Sequence, residues 1–171
     1  MKHESLVRLI LAALFAALSC VATMLVQIPI PATGGYVNLG DGVVLLGAFL
    51  LGPVSGFFAG ALGSMLADVL LGYAVYAPGT FLIKGLTALT AALILRAGRR
   101  GLPALALSAA SGEAVMVLGY FAYESLALGF GLSAAASIPA NAVQGAVGAV
   151  AAVCAFRALA HVPGINKFSH G

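Results

Sequence analysis

The chain has 171 residues, of which 62% are hydrophobic and only 8% charged, with a formal net charge of +3. A water-soluble domain carries about 25% charged residues, so a surface this poor in charge has to face lipid. That excludes a soluble enzyme, and the basic excess reads as membrane topology rather than as a nucleic-acid surface.

A spanning helix takes about 20 apolar residues. Six such spans with short loops use up the chain and leave no stretch for an ATPase or other soluble domain. The first span covers residues 6–28 and ends at Pro29 and Pro31. It is too long for the apolar core of a secretory signal, which runs about 7–15 residues, so it is expected to be retained. A Pro/Gly/Tyr loop at 31–36 leads to a short second helix, 38–51, which breaks at Gly52-Pro53. That pair predicts a tight turn into an antiparallel third helix, 54–71; a kinked, partly re-entrant second segment is the alternative. The turn 72–79, with Tyr73, Tyr76 and Pro78, precedes the fourth helix, 80–95. A basic loop with Arg96, Arg99 and Arg100 leads past Pro103 to the fifth helix, 104–123. A Gly/Ser stretch, 125–137, leads to the sixth, 139–159, and a tail with Pro163, Lys167 and two histidines. The expected fold class is all-α: an integral membrane bundle of six transmembrane helices forming one domain over residues 1–171.

Lys2, Arg8, Arg96, Arg99, Arg100, Arg157 and Lys167 all fall on one side of a six-span topology, whereas the opposite loops carry no Lys or Arg. By the positive-inside rule both termini are cytoplasmic. With no tryptophan, the tyrosines are the aromatic interface markers, and all five lie at or near the outer side.

The same topology gathers the polar residues outside. Asp41, Asp68, Lys84, Glu113, Glu124, Asn141 and Gln144 sit in the outer or middle parts of their helices, and the inner halves hold almost nothing polar. An ionisable group at mid-membrane costs about 2.5–3.5 kcal/mol on insertion scales, so it persists where it pairs or lines a wet cavity. Asp68 and Lys84 flank the 72–79 turn at similar depth and are expected to form an ion pair, either within a site or as a staple between the third and fourth helices. Glu113, Val117, Tyr120 and Glu124 share one helical face, as do Asn141 and Gln144. The expected solute site therefore consists of Asn38, Asp41, Asp68, Lys84, Glu113, Tyr120, Asn141 and Gln144; for each residue singly, the alternative is an ordinary interhelical hydrogen bond. Gly52, Gly56, Gly60 and Ser64 repeat every four residues and predict close helix packing inside the bundle.

No Gly-Lys-Ser/Thr phosphate loop, His-Glu-x-x-His motif or pair of cysteines at metal spacing occurs. Cys20 and Cys154 read as inert thiols within apolar spans. His3, His161 and His170 are terminal or nearly so. The expectation is a binding protein with no catalytic residue, no metal and no cofactor.

Four motifs in order carry a family resemblance: Gly-Tyr-Val-Asn-Leu-Gly-Asp at 35–41, Leu-Leu-Gly-Pro at 50–53, Leu-Ala-Asp at 66–68 and Tyr-Ala-Pro-Gly-Thr-Phe-Leu-Ile-Lys-Gly at 76–85. Together they resemble the substrate-binding S component of energy-coupling-factor (ECF) vitamin transporters, nearest those assigned to hydroxymethylpyrimidine or pyridoxine. The resemblance implies a six-helix subunit of a bacterial or archaeal plasma membrane. It would capture a small vitamin from outside and pair with a transmembrane coupling protein and two cytoplasmic ATPases. It also implies that an Ala-x-x-x-Ala stripe in the first helix touches the coupling protein. Here Ala12 and Ala16 match, and Ala13 and Ala17 match in the alternative phase. Competing readings are an S component for riboflavin or biotin, a stand-alone permease or channel, and a membrane enzyme or scaffold.

The topology makes a direct prediction. In a variant lacking both native cysteines, an impermeant thiol reagent applied from outside labels a cysteine placed at position 34 and not one at position 98. The reverse pattern overturns it.

Overall fold

The computed structural model describes residues 2–98 and 101–159. Arg99, Arg100, Lys167, His161 and His170 lie outside the described residues. The elements in order are α1 (Lys2–Leu25), β1 (Gln27–Ile30), β2 (Gly35–Asn38), α2 (Gly40–Leu51), α3 (Pro53–Leu70), α4 (Ala77–Ala97), α5 (Leu102–Ala122) and α6 (Ile138–Leu159). A π-helical turn, Tyr123–Ala127, and a 3-10 segment, Gly131–Ser137, fill the stretch before α6. All but α2 among the six helices are long and apolar enough to cross a membrane. Large side chains such as Leu9, Leu107, Leu118 and Val150 stand exposed on their outer faces, as a lipid-facing bundle requires and a soluble surface rarely allows.

The packing order runs from α1 to α3, from α3 to α4, from α4 to α5 and from α5 to α6. Helix α2 sits inside this arc and touches α1, α3, α4 and α6. Its position explains its length. Twelve residues rise only about 18 Å. Asp41, in its first turn, meets Lys84, which lies seven residues, or about 10 Å, into α4. Helix α2 therefore starts below the end of the bundle at which α4 begins, and the space above it is left to other groups.

The hairpin β1–β2 occupies part of that space. The sequence reading made 31–36 an irregular loop and ran the first helix to residue 28; the chain instead leaves α1 at Leu25 and folds into two antiparallel strands in the register Gln27↔Asn38 to Ile30↔Gly35. Prolines at 29 and 31 hid the strands, because proline is usually excluded from sheets. In a two-stranded ribbon every strand is an edge, and proline is tolerated there. The turn closes through Gly34 at φ +68°, with its N–H donating to the Ile30 carbonyl at 3.0 Å.

Small residues set the helix spacing. Gly52 ends α2 at φ +80° and Pro53 opens α3, the tight reversal expected from the sequence. A Cβ at Gly56 would stand 2.8 Å from the Ala48 Cα, and one at Gly60 would stand 2.9 Å from Val44. This face of α3 packs on α2. Gly63 faces the other way, where a Cβ would lie 2.3 Å from the Ala16 carbonyl oxygen of α1. The inner core is apolar: Val44, Leu45, Phe49, Ala88, Leu95 and Leu105 are buried together, with Phe156 edge-on to Phe49.

Gly63→Ala should destabilise the fold by about 1–3 kcal/mol, the usual cost of overpacking, because a backbone carbonyl cannot step aside. Gly101→Ala, whose Cβ would meet only Pro103 at an ordinary 3.6 Å, should be neutral or slightly stabilising. Thermal unfolding in detergent compares the two.

Candidate functional site

The site is built around a buried ion pair. The Lys84 ammonium on α4 donates to Asp41 Oδ1 on α2, with side-chain exposures of 2% and 0%. Gln144 on α6 donates through Nε2 to Asp41 Oδ2 at 2.5 Å and accepts the Asn38 backbone N–H at 2.6 Å. Asn38 Oδ1 in turn accepts from the Gly40 N–H at 2.8 Å, satisfying one of the free donors at the start of α2. Asp41 also lies where the helix dipole favours an anion. These contacts tie α2, α4, α6 and the hairpin together at one depth.

The expected Asp68–Lys84 pair is therefore replaced. Asp68 and Lys84 do line one cavity, but α2 packs against α4 as well and brings Asp41 onto the Lys84 ammonium. Asp68 on α3 accepts the Tyr36 hydroxyl of the hairpin at 2.6 Å instead. Its other oxygen, Oδ2, is buried without a hydrogen-bond partner.

Above this floor lies a cavity enclosing about 410 Å³, counting its open mouth, of which about 20 Å³ is free to the centre of a water molecule. Asn38, Asp68, Lys84, Tyr120, Asn141 and Gln144 line it, as the sequence led one to expect. Two expected residues do not. Asp41 lies beneath the floor with both oxygens engaged. Glu113 is buried against Gly145 of α6, off the cavity wall, and neither carboxyl oxygen has a hydrogen-bond partner.

The wall also includes Thr23, Tyr36, Tyr76, Thr80 and Glu124, which were not assigned to the site. Thr80 bonds Tyr120 Oη at 3.0 Å, and the Lys84 ammonium stands 5.4 Å from the Tyr120 ring centre. Tyr76 donates to the Thr33 carbonyl at 2.8 Å and reaches Glu124 Oε1 at 3.2 Å, while Ser137 donates to Glu124 Oε2 at 2.5 Å. Tyr36 and Tyr76 were visible in the sequence as outer aromatics. Threonine in an apolar helix gives no comparable signal. Burial holds the Tyr76 hydroxyl up to about 12, and burial followed by the Asp68 hydrogen bond raises that of Tyr36 further, so both remain protonated donors at neutral pH.

Arg8, Arg96 and Arg157 sit toward the ends of α1, α4 and α6 remote from this cavity, since the cavity takes Thr23, Thr80 and Asn141 from their other ends.

Replacing one partner of the floor pair leaves the other charge buried and alone. Lys84→Met or Asp41→Asn should each cost about 3–5 kcal/mol of stability, and the double variant should lose clearly less than the sum. Unfolding of the three variants measures that coupling; strict additivity would show that the pair is not an energetic unit.

The comparisons with known proteins agree with this geometry. A family model described as the S component of the ECF-type riboflavin transporter matches residues 3–161. A solved chain from a study of the structure and mechanism of the S component of a bacterial ECF transporter superposes with a TM-score of 0.74 over 94% of this chain and 97% of its own; at 24% identity this likeness speaks to the fold. A relative from Pyrococcus woesei, known only as an uncharacterized protein in a gap 3' region, is 46% identical over 100 residues, which are 58% of this chain and 66% of the relative. A multi-pass bundle of apolar helices with a polar cavity at one end, matched over nearly its whole length by that family model, belongs to the S-component family of ECF-type transporters.

Proposed function

We propose that this protein captures a small water-soluble vitamin or vitamin precursor from outside the cell and hands it to an ECF module for ATP-driven import. The observation that carries the reading is the polar cavity at one end of the bundle over a closed apolar core. Such a layout suits capture from one side followed by movement of the whole subunit, and it offers no polar path for a stand-alone permease or channel. The reading takes residues 1–171 as a single S-component domain. It takes α2 with the hairpin above it as a sixth crossing, both termini as cytoplasmic, and the cavity as outward-facing in a bacterial or archaeal plasma membrane. Its partners are a transmembrane coupling protein and two cytoplasmic ATPases.

For the ligand, the reading favours a single-ring heterocycle of the hydroxymethylpyrimidine or pyridoxine kind. Only about 20 Å³ of the cavity is free to the centre of a water molecule, well below the roughly 300–1,000 Å³ of ligand pockets, so the roof would have to move to admit even a single ring. Tyr120 offers a ring face, and Asn38, Asn141 and Gln144 offer amide donors and acceptors for ring nitrogens and hydroxyls. The name of the matching family model favours riboflavin as the second reading. The hairpin, and the 72–79 turn whose Tyr73 ring stacks 4.5 Å from Tyr36, roof the cavity and would open as a lid.

The structure also bears on which alanine stripe meets the coupling protein. Ala16 backs onto Gly63 of α3 and is half-buried with Ala12, whereas Ala13 and Ala17 are exposed. The Ala13–Ala17 phase is the one free to dock.

Two measurements test the proposal. Co-expression with the ECF subunits should give a complex that takes up the vitamin, and Ala13→Leu with Ala17→Leu should abolish uptake while leaving ligand binding intact. Ligand affinity should fall about tenfold on losing one good hydrogen bond, in Asn141→Ala or Tyr120→Phe. Gln144→Ala and Asn38→Ala reach into the fold as well, because these residues hold Asp41 and the start of α2. Full affinity in both Asn141→Ala and Tyr120→Phe would place the ligand elsewhere.

A further inference from the structure

Charge bookkeeping at the cavity leaves a surplus. Its floor holds one cation, Lys84, and that cation is neutralised by Asp41. Two more carboxylates, Asp68 and Glu124, line the wall. Both are buried, 4% and 2% exposed: Asp68 accepts the Tyr36 hydroxyl, and Glu124 accepts the Ser137 hydroxyl, with the Tyr76 hydroxyl, which donates to the Thr33 carbonyl, 3.2 Å from its other oxygen. Among the described residues no second Lys or Arg lines the cavity. The wall thus holds two acidic side chains and no basic one beyond the paired Lys84.

One oxygen in this wall stands out. Asp68 Oδ2 is buried without a hydrogen-bond partner on a residue that lines the cavity. The Thr80 hydroxyl lies beside Asp68 and shares a hydrogen bond with Tyr120 Oη. A buried unpartnered carboxylate oxygen costs several kcal/mol unless something meets it. The rings of Tyr36, Tyr76 and Tyr120 complete the lining, and aromatic faces attract cations. Among the described residues no three His, Cys, Asp or Glu side chains converge as a metal site, and the aromatic rings suit an organic cation better than a metal ion.

We infer that the ligand is bound as a cation, a nitrogen heterocycle carrying a protonated or quaternary ring nitrogen, with Asp68 as its counter-ion and Glu124 as a second negative charge in the wall. The inference rests on the proposal that this cavity is the solute site and adds the charge of the solute. It disfavours anionic vitamins, which would meet two carboxylates and an already neutralised lysine, and it places neutral ring systems below cationic ones.

The test is calorimetric titration of the purified full-length protein in lipid nanodiscs. The probes are thiamine, permanently cationic; hydroxymethylpyrimidine and pyridoxine, with protonatable ring nitrogens; riboflavin, neutral; biotin, anionic; and sodium or magnesium chloride alone. At least one of the first three should bind at least tenfold more tightly than riboflavin and biotin, and neither salt should give a binding isotherm. Asp68→Asn keeps an oxygen to accept from Tyr36 and removes only the charge, so it should weaken the cationic probe at least tenfold. Glu124→Gln should weaken it several-fold and serves if Asp68→Asn does not fold. Failure of every cationic probe to bind overturns the inference, as does tighter binding of riboflavin or biotin, saturable binding of either salt at the same site, or full cation affinity in the folded charge variants. If riboflavin or biotin binds and Asn141→Ala weakens it, the site reading stands and only the charge assignment falls. If a probe binds and no cavity variant affects it, the site reading itself fails.

Discussion

The contact on which the rest of this structure depends is the buried pair of Lys84 and Asp41. Two charges at that depth are tolerable only when each has the other and the remaining hydrogen-bonding capacity is used. Gln144 fills the second oxygen of Asp41, and its own oxygen holds the backbone of the hairpin. The pair thus fixes the depth at which α2 begins, and α2 fixes how much room is left above it. A shorter second helix under a folded hairpin is what makes a cavity possible within a chain of this size. Had α2 run the full bilayer thickness, its own side chains would have occupied that space.

The two halves of the bundle obey different physics. Toward the remote end, packing is by close helix approach, through Gly56 on Ala48, Gly63 on Ala16 and the apolar cluster around Leu45 and Phe49. Lipid gives apolar side chains no incentive to leave it, so small residues and tight van der Waals contact have to hold helices together there. Toward the cavity end, hydrogen bonds between side chains take over, and several cross from the hairpin or the turns to a helix. Tyr36 on Asp68 and Tyr76 on the Thr33 carbonyl fasten the roof. They are few, and none of them reaches into the apolar half.

The lining assigns separate tasks to acidic residues that look alike in the sequence. Asp41 is consumed by the fold. Asp68 is shared between the roof and the cavity. Glu124 anchors the π-helical turn and the 3-10 segment through Tyr76 and Ser137 while facing the same space. Glu113 lies off the wall beside α6. Proximity to the cavity, and not mid-membrane position, separates them.

Much of the architecture was legible in the residues themselves, because the constraints behind it are local. Low charge and long apolar runs dictate membrane helices, Gly52-Pro53 dictates a reversal, and the four-residue glycine repeat dictates close packing. The polar residues identified an end of the bundle correctly, since depth follows from counting along a helix at a fixed rise. Partnership did not follow. Asp68 and Lys84 have matching depth, yet which carboxylate meets the lysine depends on how α2 is inserted between the outer helices, and no periodicity encodes that. The hairpin escaped notice for a related reason: β1 carries Pro29, both strands are only four residues long, and β2 is tied down by Asp68 and Gln144 from distant parts of the chain. Which of the Ala12–Ala16 and Ala13–Ala17 stripes stays exposed likewise waited on the contact with Gly63, because two overlapping stripes on one helix are equivalent until a neighbour covers one of them.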